Sequence, residues 1–154
     1  MMQRGFLHMS KSRIRGFSHE RDLARKLWDH GLAVIRAPAS GSKTKHLLYP
    51  DIVIIYKGKT AAIEVKTMKK TRTLYIEAYQ VKKLLEFADR AGGEAYVAVK
   101  VVGTGEWIFM PISKLEKTTN GNYKLKKEVL QEGLKLEAFI SIMKGVRKLT
   151  EFKS

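Results

Sequence analysis

Three residues of this 154-residue chain could do chemistry together: Asp51, Glu64 and Lys66. Two carboxylates and an ammonium beside apolar sequence are costly to bury unless they are paired or bound to a cation. A hard divalent ion is the natural partner, because Mg²⁺ takes carboxylate oxygens and keeps several waters for a reaction. An Asp before a strand and a Glu-x-Lys on a solvated strand face also occur in many charged proteins, so the setting has to decide. Here Pro50 immediately precedes the Asp, and the sequence between the charges, Ile52 to Ile63, is too apolar for a surface ribbon apart from its Lys-Gly-Lys turn.

The elements that must position these groups follow from the pattern. Two runs rich in Val, Ile and Ala flank Lys57-Gly58-Lys59, the composition of a β-hairpin with Gly at a positive φ. A loop of two or three residues pairs positions whose numbers sum to about 116 or 117, setting Asp51 opposite Val65 or Lys66. Alternation along the second strand puts Ala62, Glu64 and Lys66 on one face and Ala61, Ile63 and Val65 on the other. Upstream, Ser18 can cap a helix running to His30, with Gly31 as its stop. Leu23, Ala24 and Leu27 form its inward stripe, which places Glu20 on the core-facing edge. Glu20 is then either a partner of the helix dipole or a third acid aimed at the hairpin, while Arg21 is free for phosphate.

Leu32 to Ala37 reads as the first strand, ended by Pro38, and Ala39 to His46 as a small, polar, basic loop. After the hairpin, residues 67–72 form a charge run beside the same cleft. A helix over residues 77–90 follows, with Val81, Leu84, Leu85 and Ala88 as its stripe and Gly92-Gly93 as its terminator. Residues 95–102 and 106–110 read as strands joined at Gly103-Thr104-Gly105, and residues 136–143 as a short amphipathic helix under a basic tail. Strands and helices interleaved in this order predict one α/β domain over residues 17–154, with a small C-terminal extension from about residue 118 and a basic flexible arm over residues 1–16.

Composition narrows the partner. Thirty Lys and Arg against fifteen Asp and Glu give a formal net charge of +15. Such a surplus points to a polyanion, and to nucleic acid rather than membrane, because no stretch reaches the ~18 apolar residues of a spanning helix. With no Cys there is neither a disulfide framework nor a thiolate metal site, and the four histidines show no ligand spacing. No secretory signal pattern opens the chain, which predicts a cytoplasmic protein.

The arrangement Asp51-x12-Glu64-x-Lys66 after Pro50 resembles the PD-(D/E)XK nuclease superfamily. Phe17 to Leu23, the run Val34-Ile35-Arg36-Ala37-Pro38-Ala39-Ser40-Gly41, the hairpin, and Tyr75 through Gln80 together resemble the archaeal Holliday junction resolvases of the Hjc type. The resemblance spans about residues 11–117. It implies a restriction-endonuclease-like core with a central mixed five-stranded sheet flanked by helices. It implies that Glu20, Asp51, Glu64 and the Val65 carbonyl hold Mg²⁺, for which Mn²⁺ can substitute, and that Lys66 helps orient or deprotonate water. The resemblance also implicates Ser40 at the scissile phosphate and implies that Arg21 and Arg36 contact DNA. To these the charge pattern adds Lys43, Lys45, Lys69, Lys70 and Arg72.

The implied activity is a structure-specific endodeoxyribonuclease that binds four-way junctions and cuts two opposing strands symmetrically, in homologous recombination and repair. That calls for a homodimer, with Phe87, Trp107 and Phe109 as candidates for its apolar patch; recombination or replication proteins such as a sliding clamp are further candidate partners. Two rival readings stand beside it. One is a nuclease of the same superfamily acting on flaps or mismatches, and the other is a basic architectural DNA-binding protein whose acids are structural.

Overall fold

The computed structural model describes the backbone of residues 11–37 and 49–146, and side chains from Ser18 onward. Helix α1 spans Lys11–Asp29. Strand β1, Ala33–Arg36, leads to the hairpin β2, Ile52–Tyr56, and β3, Lys59–Met68. Then come β4, Leu74–Ile76, helix α2, Ala78–Ala91, and the strands β5, Glu94–Val101, and β6, Glu106–Pro111. The remainder is β7, Glu116–Lys117, β8, Tyr123–Leu125, α3, Lys127–Gln131, β9, Leu134–Lys135, and α4, Leu136–Met143.

The main sheet has the order β1-β2-β3-β5-β6-β9, in which β3 and β5 are parallel and every other neighbour is antiparallel. It therefore has six strands where five were expected: Leu134 and Lys135, two residues without a readable period, pair with Phe109 and Ile108 to make the sixth. A parallel pair cannot be joined by a tight turn, so the chain must leave the sheet between β3 and β5, and that excursion carries β4 and α2. A second sheet, β4-β8-β7, is absent from the expected architecture, because its strands are two or three residues long and β4 pairs with β8 across more than forty positions.

The two faces of the main sheet bury separate cores. On one, Leu23 and Leu27 of α1 and Phe139, Ile140 and Met143 of α4 cover Ile52, Ile54, Ile63, Tyr96 and Phe109. Phe139 stacks on Phe109 with centroids 4.1 Å apart and meets Tyr96 edge-on. On the other face, Val81, Leu84 and Ala88 of α2 cover Ala62, Val97 and Val99, and Leu74, Ile76 and Leu125 of the small sheet complete the layer. Gly92 ends α2 in the left-handed region (φ 68°), as the Gly-Gly terminator predicts.

Four expectations need correction. Helix α1 starts at Lys11, so the segment 11–16 assigned to the arm is helical and Ser18 lies inside the helix rather than capping it; the segment shows no apolar period to reveal this. Residues 1–10 lie outside the described residues. The hairpin pairs at a sum of 115, with Tyr56 opposite Lys59 and Ile52 opposite Ile63. Lys57 and Gly58 both have positive φ, 46° and 87°, the backbone of a two-residue type I′ turn, which sets the shorter register. Leu85 is exposed, on the flank of α2 rather than in its stripe. Trp107 and Phe109 are 3% and 0% exposed, and Phe87 is partly buried against the second core. Trp107 and Phe109 are therefore core, and no subunit contact can rest on them.

Candidate active site

The hairpin ends where the acids stand. The Ala37 amide donates to the Asp51 carbonyl at 2.9 Å, closing the base of the loop between β1 and β2. The Asp51 carboxylate is fixed from the neighbouring strand: Oδ2 accepts from the Val65 amide at 2.8 Å. Glu64 is 4% exposed and is the one buried charged residue among those described. As the alternation predicts, Glu64 and Lys66 share the face covered by α2. That helix supplies two groups the motif does not name. Lys66 Nζ donates to Gln80 Oε1 at 3.0 Å and lies 3.6 Å from Glu64 Oε2, while Gln80 Nε2 donates to the same Oε2 at 3.4 Å. Lys83 Nζ stands 3.5 Å from the other oxygen, Oε1, and 5.8 Å from the centroid of the Tyr79 ring.

Glu20 lies within electrostatic reach of this centre. It is half-buried, and burial together with the charge of Asp51 pushes its pKa from 4.5 up to about 7, Arg36 opposing and Glu64 reinforcing the shift. A side chain that feels Asp51, Arg36, Glu64 and Lys83 faces the hairpin end. It is also the tenth residue of α1, beyond the first turn to which the dipole effect is confined. The helix-dipole reading of Glu20 thus loses its ground.

The pair Asp51 and Glu64 is frustrated as it stands. Burial first, then the charge of Asp51, pushes Glu64 up to about 7, against the pull of Lys83 and Lys66, and a hydrogen bond that protonated Glu64 donates to the Asp51 carboxylate adds to the rise. Glu64 Oε1 is buried without a hydrogen-bond partner among the described residues. No three His, Cys, Asp or Glu side chains among the described residues form a ready cage for a cation. Mg²⁺ does not require one, since it is usually held by one or two carboxylates with water completing the octahedron. A buried Glu64 carboxyl with an orphaned oxygen, beside the Asp51 carboxylate that raises it, fits that ion.

Of the other predicted residues, Arg21, Lys69, Lys70 and Arg72 are exposed and Arg36 is half-buried. Ser40, Lys43 and Lys45 lie outside the described residues. Gln80 and Lys83 were missed as site residues, Gln80 because it is off the apolar stripe and Lys83 because one lysine among many carries no local signal.

Fold and centre define an α/β nuclease of the PD-(D/E)XK type. A family model described as archaeal Holliday junction resolvase (Hjc) matches residues 11–148. Curated relatives named crossover junction endodeoxyribonuclease Hjc include one from Sulfurisphaera tokodaii, 40% identical over 86% of this chain and 90% of that protein. Another, from Archaeoglobus fulgidus, is 40% identical over 79% of this chain and 86% of its own length. The solved structure of Archaeoglobus fulgidus Hjc, a Holliday junction resolvase from an archaeal hyperthermophile, superposes with a TM-score of 0.73 at 38% identity, covering 81% of this chain and 99% of that one. The chain belongs to the archaeal Holliday junction resolvase family.

Proposed function

We propose that this protein is a crossover junction endodeoxyribonuclease that binds four-way DNA junctions as a homodimer and, with Mg²⁺, cuts two opposing strands symmetrically during recombination and repair. The observation that carries the chemistry is the buried Glu64 beside the part-buried Asp51, with Lys66 next to them at the open end of the hairpin. Family membership carries the substrate. Duplex, flap and junction offer the same phosphates, and nothing among the described active-site residues distinguishes them.

The residues divide the work. Asp51 and Glu64 would hold the divalent ion, with the Val65 carbonyl and Glu20 beside them. When bound, the ion lowers the pKa of water and offsets negative charge on the phosphoryl group. The Val65 amide holds Asp51 in one orientation. Gln80 ties Lys66 to Glu64, keeping an ammonium where it can orient the attacking water or meet charge growing on phosphoryl oxygen. As the family resemblance implies, water attacks phosphorus in line and the bond to the 3′ oxygen breaks, which leaves a 5′-phosphate and a 3′-hydroxyl. Arg21, Arg36, Lys69, Lys70 and Arg72 would track the backbone on either side of the cut, joined by Lys43 and Lys45 from the loop, with Ser40 at the scissile phosphate.

A cleavage gel on junction, duplex and flap of equal length, with and without Mg²⁺, tests this. The expected result is paired symmetric cuts in the junction alone, dependent on the metal and lost in Asp51→Asn. Equal cleavage of duplex would leave a nuclease of another specificity, and no cleavage under any divalent ion would leave a DNA-binding protein without catalysis.

A further inference from the structure

Lys83 stands apart from the groups that the nuclease motif explains. It comes from the middle of α2, its side chain is 13% exposed, and its ammonium faces Glu64 Oε1 at 3.5 Å. That oxygen accepts no hydrogen bond from any described residue, so Lys83 holds it by charge and not by a directional bond. The other oxygen, Oε2, is already served by Gln80 and Lys66. Oε1 is thus the free corner of the carboxylate and the natural seat for a cation. Lys83 also has a second resting place: the ring of Tyr79, one turn back on the same helix face, is 59% exposed and within cation–π range.

We propose that Lys83 is a positioning residue that serves as the internal counter-charge of Glu64, competing with the divalent ion for Oε1 and withdrawing toward the Tyr79 ring when the ion binds. The proposal rests on the reading of Asp51 and Glu64 as the metal seat. Its consequence is that metal loading is an exchange of one cation for another. The buried carboxylate never stands uncompensated, and the divalent ion must outbid a tethered ammonium. A unit charge within 4 Å of the seat, in a partly desolvated site, repels an arriving cation by several times the thermal energy. Removing it should tighten metal binding.

Mn²⁺ alone, titrated into the full chain and followed by water-proton relaxation, reads this without turnover. Lys83→Met keeps the apolar stem and removes the charge, and should bind Mn²⁺ at least ~10-fold more tightly than the unaltered chain. Lys83→Arg keeps the charge and should bind no more tightly than the unaltered chain. A purely structural ion pair predicts the opposite for Met, namely a loosened Glu64 and equal or weaker binding. Circular dichroism in EDTA establishes that each variant is folded. Equal or weaker Mn²⁺ binding by folded Lys83→Met overturns the proposal, as does tightening by Lys83→Arg equal to that by Lys83→Met. Asp51→Asn separates the two levels: it should abolish binding in both backgrounds, and Mn²⁺ affinity that survives it would remove the acidic centre as the seat and the competition with it.

Discussion

Replacing Glu64 by Gln should stabilise the metal-free protein near about pH 8 while abolishing cleavage, because the native centre carries a charge it is built to share with a cation. The folded pKa of Glu64 is raised from 4.5 to about 7. A raised carboxyl favours the protonated folded state, so the stability present below 4.5 is lost as pH climbs to about 7 and is flat above that. The full shift corresponds to roughly 3 kcal/mol. Glu20 and Glu64 are both raised by Asp51, so their penalties overlap, and a gain of about 1–3 kcal/mol is the working figure for Glu64→Gln. Urea unfolding in EDTA measures it: the variant should lead near pH 8, and the gap should shrink to under ~1 kcal/mol near pH 5, where native Glu64 is already protonated. Mg²⁺ should narrow the gap at high pH by stabilising only the native protein. A variant no more stable than native near pH 8, or an advantage independent of pH, would refute the reasoning.

Three further outcomes are expected. Glu20→Gln should lower the cleavage rate at least ~10-fold without loss of stability, since Glu20 lies beyond the reach of the helix end; full activity in a slightly destabilised variant would return it to a structural role. Gly93→Ala should cost about 1–3 kcal/mol in thermal or urea unfolding and leave junction cleavage intact, because a Cβ there would lie 2.2 Å from the Thr60 carbonyl oxygen at the end of the sheet away from the acids; an unchanged midpoint would contradict that close approach. Junction affinity should fall with salt at a slope near −0.9 per phosphate neutralised, and the junction should keep its preference over duplex as both weaken. Equal affinity for the two across the salt range would count against junction recognition.

The acids and the lysine were legible because their geometry is local. Alternation along one strand puts Glu64 and Lys66 on one face, and a hairpin returns Asp51 to them whatever the sheet around it does. The positive charge and the apolar periods of α1, α2 and β3 are likewise properties of short stretches. What the sequence misplaced depends on longer range. The register was off because the two-residue turn is Lys57-Gly58, one position earlier than a loop of that length at Gly58-Lys59, and a lysine does not advertise the positive φ this placement needs. Trp107 and Phe109 looked available for a partner until α1 and α4 closed over them. Gln80 and Lys83 became site residues only through the crossover that a parallel β3–β5 pair requires, which lays α2 across the face holding Glu64. Sequence alone could therefore say which carboxylates would meet. Only the packing of a helix fourteen or more positions away decided which cations would face each oxygen of Glu64, because that depends on how the helix is rotated against the sheet.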